Sequence, residues 1–205
     1  MNTRRSPCSR RRDVIPIWAD FHTHAIGEEV FGPRAETLVA RHVEAALEAG
    51  LDCLAVTDHN DLRPGLMARN YAARRGHRLL VLPGMELTTE ERVHLVAVGL
   101  REPIPAWRPL ADTIARIREA GGLSVLPHPF FRHLRARRDV DAIEQLNARY
   151  GDFDLNGTDV ARVADSDAHS AADLRTSKHR TLVRVTCLSW EGVVDAVRAG
   201  RTTPT

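Results

Sequence analysis

Four apolar runs in this chain each stop abruptly on ionisable residues, and that recurrence constrains the fold more than any other feature. They are "IWADFHTHAIGEEV" (17–30), "LDCLAVTDHN" (51–60), "RLLVLPGMEL" (78–87) and "LSVLPHPF" (123–130). Each reads as a buried strand ending on polar groups: Asp20, His22 and His24, then Thr57, Asp58 and His59, then Glu86, then His128. Helical patterns lie between them. "PRAETLVARHVEAALEAG" places Leu38, Val39, Val43, Ala46 and Leu47 at helical spacing, with Pro33 near its start and Gly50 at its end. "PAWRPLADTIARIREAGG" is a second amphipathic helix, stopping at Gly121 and Gly122. Strands alternating with helices predict parallel strands with crossover helices, as an α/β barrel or an open sheet. In such folds function gathers at the carboxyl ends of the strands, where these polar residues fall.

The 205 residues suffice for one domain with a proper core, expected over 14–205. No apolar run is long enough to span a bilayer, so no membrane role is expected. The net charge of +2 hides an uneven distribution, because residues 1–13 carry Arg4, Arg5, Arg10, Arg11 and Arg12. Without these five the balance is +2 − 5 = −3, which lacks the basic character of a nucleic-acid-binding domain. The arginine-rich start has no apolar core of a secretory signal and reads as a disordered tail. Cys8, Cys53 and Cys187 are odd in number, far apart and in no CxxC pair. They argue for a reducing, cytoplasmic setting and against a disulfide framework or a thiolate zinc site.

Side chains alternate along a strand, so Asp20, His22 and His24 should share one face. Two neutral imidazoles side by side can ligate one divalent metal, and Asp20 can fix a ring tautomer from behind. A late fragment, "RVADSDAHSAADL", repeats the spacing with Asp167 and His169, and "RVHLVAVGL" carries His94 within its alternation. Of ten histidines, His22, His24, His59, His94, His128 and His169 sit at or near strand ends, while His42, His77, His133 and His179 fall on helix faces or in loops. A hydrogen-bonded structural histidine explains any one of the six. Packing gives no reason to collect them at one rim with Glu86 and Asp167, whereas divalent metals do. A donor set of histidine and carboxylate suits zinc, manganese or iron. Directly after "PHPF", the cluster "FFRHLRARR" reads equally as a solvated basic loop or as offering Arg132 and Arg135 as planar clamps for a phosphate.

In order along the chain, "DFHTH", "TDHN", "PGMEL", "VHLVAVG", "PHPF", "DAIEQLNAR" and "SDAHS" resemble the successive motifs of the PHP (polymerase and histidinol phosphatase) family, from residue 16 to about 200. The resemblance implies a distorted seven-stranded β/α barrel with two or three divalent ions at its carboxyl rim. It gives the first ion to His22, His24, Glu86 and Asp167. Glu86 would bridge to a second ion held also by His94 and His128. His59 and His169 would hold a third with Glu29, which stands at the offset where the family has aspartate. Asp20 and Asp58 would support the ligands from behind, and Glu86, His128 and Arg132 would act directly in the reaction. Two departures stand out: Asp165 replaces the glycine that commonly precedes SDAH, and "YGDFDLNGTDVARVA" is short for the usual helix, which predicts a reduced helix near 148–164.

The expected activity is hydrolysis of a phosphate ester of a small metabolite or nucleotide, with a metal-bound hydroxide attacking phosphorus and Arg132 or Arg135 balancing the oxygens. One competing reading is an exonuclease acting on oligonucleotide ends, favoured by the arginine tail and opposed by the acidic body and 5% aromatic content. Another is a catalytically silent metal-binding module, opposed by the full set of ligand types. The substrate itself and the oligomeric state are left open.

Overall fold

The computed structural model of the protein describes residues 14–27, 31–130 and 139–205. The arginine-rich tail, Glu29, Arg132 and Arg135 lie outside the described residues. In chain order the elements are β1 (Ile15–Asp20), α1 (Ala35–Glu48), β2 (Cys53–Val56), α2 (Arg63–Arg75), β3 (Leu80–Thr88), β4 (His94–Val98), α3 (Leu110–Glu119), β5 (Leu123–Leu126), β6 (Ala142–Asn147), β7 (Gly151–Asp152), β8 (Ala161–Asp165), α4 (Ala171–Thr176), β9 (Thr181–Val185), α5 (Trp190–Arg198) and β10 (Thr202–Pro204).

Strands β1, β2, β3, β4, β5, β6 and β8 neighbour one another in that order in a curled half-barrel sheet. All these pairings are parallel except those of β4, which runs antiparallel to both β3 and β5. β9 adds antiparallel to the outer part of β1, with Ile15 opposite Val185, and β10 adds to β9. Past the end of β1 the curl brings the β8 edge to it directly: the Asp167 amide donates to the His22 carbonyl at 2.9 Å and the His24 amide to the Ala168 carbonyl at 2.7 Å. Two carboxylates stitch the same seam, Asp165 Oδ1 accepting from the Phe21 amide at 2.6 Å and Asp20 from the Ser166 amide at 3.3 Å. The residue that departs from the expected glycine thus holds one strand of the barrel to another.

The expected distorted β/α barrel is found, and the helix expected to be reduced near 148–164 is reduced to loop. Among the described residues there is no helix between β6 and β8, and the two-residue β7 folds back on β6 instead. Gly151 and Gly157 hold φ of 90° and 79°, a left-handed backbone that ends any helical run there. The alternation read in the sequence is visible in the packing. In β2, Cys53 and Ala55 join the cluster inside the curl, with Ile17, Phe21, Val96 and Val125, while Leu54 and Val56 join the one under α1 and α2 with Val39, Val43 and Ala68. Cys53 is a free thiol whose pKa burial pushes up. No helix among the described residues is long and apolar enough to cross a membrane.

Candidate metal centre

The strand ends deliver their polar residues to one place. β1 stops at Asp20, and the next turn is fixed by Thr23, whose hydroxyl donates to the Ala55 carbonyl at 2.7 Å. Asp58, at the end of β2, accepts from the amides of Ala25 and Ile26 at 3.1 and 2.9 Å and so shapes the loop beyond the two histidines. That loop also touches the far side of the site, for a Cβ on Gly27 would stand 2.4 Å from the His169 carbonyl oxygen.

Glu86 is the centre of the arrangement. Its Oε2 lies 3.4 Å from His22 Nε2, 3.4 Å from His24 Nε2 and 3.0 Å from His59 Nδ1. Its Oε1 lies 2.8 Å from His94 Nδ1 and 3.1 Å from His128 Nε2. Asp167 Oδ1 stands 3.6 Å from His22 Nε2, 3.3 Å from His24 Nε2 and 3.4 Å from His169 Nδ1. The rings of His24 and His169 are 4.1 Å apart, and those of His24 and His59 4.5 Å.

These distances test whether a divalent ion fits. A tetrahedral ion about 2.1 Å from each donor holds its donors about 3.4 Å apart. The two Nε2 atoms of His22 and His24 are 3.1 Å apart, and the other edges to Glu86 and Asp167 run from 3.3 to 3.6 Å. Nitrogens facing each other so closely need a shared proton or a shared cation. Further groups whose donors lie within 4.8 Å of one another are His22, Glu86 and His128, then His59, Glu86 and His94, then His24, His59 and His169. Among the described residues, the buried Nδ1 atoms of His24 and His128 have no hydrogen-bond partner. The donor set fits divalent cations.

Electrostatics agree. Burial opposes charge on His22, yet Glu86, Glu144 and Asp167 around it hold its pKa well above the ordinary value. Burial likewise opposes ionisation of Glu86, and the facing His22 and His128 hold it well below the usual carboxylate range. Asp167 is pulled down to about 2 against its burial, by His22 and His24. His24 is pushed down to about 3, chiefly by burial. The cluster is a place where a positive charge is stabilised at the centre and neutral rings surround it.

The structure brings together His22, His24, His59, Glu86, His94, His128, Asp167 and His169. Asp20 is corrected. Its carboxylate accepts from backbone amides of His22 and Ser166 and meets neither ligand ring. The strand ends at Asp20, so the alternation that placed it beside His22 no longer holds. The carboxylate on the His22 ring is Glu144, 2.7 Å from Nδ1, which leaves Nε2 to the cluster. Glu144 also accepts from the His128 amide at 2.6 Å and from the Asn147 side chain at 2.8 Å. Asn147 reaches Asp167 as well, at 3.4 Å. Both belong to "DAIEQLNAR", three residues apart at the middle and the end of β6. His128 and Asp167 hold φ of 30° and 49°, a strained backbone that aims their side chains inward.

No family model matches the chain. An uncharacterized protein of Methanocaldococcus jannaschii is 29% identical over 127 residues, covering 59% of this chain and 72% of that one. A solved two-domain protein of Bacteroides vulgatus, containing a predicted PHP-like metal-dependent phosphoesterase, superposes with a TM-score of 0.73 at 17% identity, over 96% of this chain and 69% of that one. PsfC from Pseudomonas syringae superposes with a TM-score of 0.65 at 20% identity, over 93% of this chain and 91% of that one. The fold is therefore that of PHP-like neighbours, and the chain gathers histidine and carboxylate groups able to hold metal at one rim of its sheet.

Proposed function

We propose that this chain is a PHP-type metal-dependent phosphoesterase that hydrolyses a phosphate ester of a small metabolite or a nucleotide. The observation that carries the reading is Glu86, a single buried carboxylate whose two oxygens face five histidines. His22, His24, Glu86 and Asp167 would hold one ion. Glu86 would be shared with a second, held also by His94 and His128, and His59 with His169 would serve a third. Zinc, with manganese or iron as substitutes, suits these donors. Bound ions would supply the Lewis acidity that makes water nucleophilic near neutral pH and the charge that balances the phosphoryl oxygens.

The remaining work falls to the chain. Glu144 holds the proton of His22 on Nδ1, and through the His128 amide it fixes the turn that carries a second ring. Asn147 orients Asp167. The fully buried His22 and His24 close the floor of the site against water, whereas His59 and His94, with side chains 36% and 35% exposed, form its mouth. A phosphate therefore enters from the side of those two rings.

Purified protein analysed for metal is expected to hold more than one ion per chain. A panel of phosphomonoesters, nucleotides and short oligonucleotides, run on chelated and on manganese-loaded protein, is expected to give metal-dependent release of phosphate. Activity confined to oligonucleotides would replace this reading with the exonuclease. Metal bound with no hydrolysis at all would replace it with the silent module.

A further inference from the structure

Two cavities flank the metal centre, and they differ in charge. The one beside His59 has a volume of about 520 Å³ and includes Arg63, but that guanidinium is engaged by Asp61 through contacts of 2.9 and 2.7 Å. The other, about 650 Å³, has Asp167 in its wall and is lined by Arg149, Lys178 and His179. Among the described residues neither Arg149 nor Lys178 forms an ion pair or a side-chain hydrogen bond. The carboxylate of Asp173, also in this wall, accepts from the His169 amide at 3.2 Å, and that of Asp167 faces the histidines. Two exposed cations line a cavity whose wall includes a proposed metal ligand.

Their placement is built rather than incidental. Asn147 Oδ1 accepts from the Arg149 amide at 2.9 Å, so the side chain that steadies Glu144 and Asp167 also sets the base of Arg149. On the opposite wall, Ser177 Oγ accepts from the His179 amide at 3.2 Å and shapes the turn that presents Lys178. Lys178 is the single lysine in a chain with 29 lysine and arginine residues together. The volume is that of a site for a whole small molecule, larger than a lone phosphate requires.

We propose that this cavity receives the leaving-group half of the substrate, and that Arg149 and Lys178 bind a negative charge carried by that half. The inference rests on the phosphoesterase reading and narrows it: the substrate is the phosphate ester of an alcohol that is itself anionic, bearing a carboxylate or a second phosphate. Arg149 and Lys178 are exposed at the cavity wall, where a second anionic group on the substrate can reach both. An anion there gains charge-assisted hydrogen bonds with planar and point-like donors together.

The test uses the full chain loaded with manganese and probes that are not hydrolysed. Calorimetry compares phenylphosphonate, 4-carboxyphenylphosphonate and 1,4-phenylenediphosphonate, the last two separating a carboxylate from a second phosphate. At least one doubly anionic probe is expected to bind about tenfold or more tightly than phenylphosphonate. That advantage is expected to shrink with added salt and to fall below about twofold in the Arg149→Ala/Lys178→Ala variant, while Lys178→Arg keeps most of it. Equal binding of all three probes, or an advantage that survives in the double variant, overturns this inference and leaves the phosphoesterase reading standing. Failure of every probe to bind protein that metal analysis finds loaded overturns both.

Discussion

Two groups of carboxylates in this molecule share the same burial and behave in opposite ways. Glu86 and Asp167 at the metal centre are 1% and 3% exposed, and both are held below the usual carboxylate range. Asp20, Asp58 and Asp165, on the strands and loops just behind, are 1%, 2% and 0% exposed. Burial pushes Asp20 and Asp58 up to about 7 and Asp165 well above its ordinary value, where Asp20 and Glu144 add like charge. The difference lies in what faces each group. Histidine rings confront the first set, and a ring can accept a proton or yield its place to a cation. Backbone amides confront the second set, and an amide offers a hydrogen bond without a full charge. Burial of an acid is therefore no sign of function in this fold; the partner decides whether it stays ionised beside histidine rings or fastens one segment to another.

Breaking the ligand side of that comparison should have the largest effect. Glu86→Ala is expected to abolish hydrolysis and lower the metal content, because both of its oxygens are used; a variant with parental rate and metal would sink the shared-ligand arrangement. Glu144→Gln comes next. It keeps the shape but weakens the acceptor for His22, and a loss of about 10- to 100-fold in metal affinity or turnover is expected, read by metal competition as well as by rate. A smaller effect sharpens the contrast through pH, in metal-free protein. Asp58 has a folded pKa raised to about 7, so its stabilising contribution is full below the ordinary carboxylate pKa and is lost as pH rises through about 7. Asp167, lowered to about 2, contributes above the ordinary value and loses that contribution as pH falls toward 2. Melting temperatures of Asp58→Asn should therefore rise relative to the parent between about pH 5 and pH 8. A difference that stays constant across that range would mean Asp58 is ionised throughout. Smallest of all, Asp165→Asn keeps the Oδ1 acceptor for the Phe21 amide and should change stability by about 1 kcal/mol in melting experiments, with the variant gaining on the parent as pH rises, because burial holds the parent carboxyl above its ordinary pKa.

Much of this was legible in the sequence, for a physical reason. A strand apolar on both faces tends to place ionisable groups toward its end, so apolar runs ending on histidine mark the rim. Alternation within β2 sorted Cys53 and Ala55 from Leu54 and Val56 on the same grounds. What failed was reasoning carried past a strand's end. Asp20 was expected on His22, but the chain turns there and a carboxylate 122 residues away takes the place. Glu144 lies within β6, where its neighbours suggest packing, and only the closure of the sheet shows what it faces. β9, β10, α2 and α5 lack the pattern of a run ending on charge, and their positions follow from pairing rather than from local signal.

The crossover from β6 to β8, bare of helix, bears on how the molecule exchanges with its surroundings. Its sparse backbone bonds, such as the Phe153 amide to Gln145 and the Thr158 amide to Leu155, leave it the segment whose amides should take up deuterium well before those of β6 and β8. Arg149 and Tyr150 hang from its first turn, so opening of this segment widens the wall beside Asp167. Glu144, Asn147 and Asp165 stay anchored to the flanking strands. Opening of this segment would change the width of that cavity while the flanking strands keep the histidine and carboxylate cluster in place.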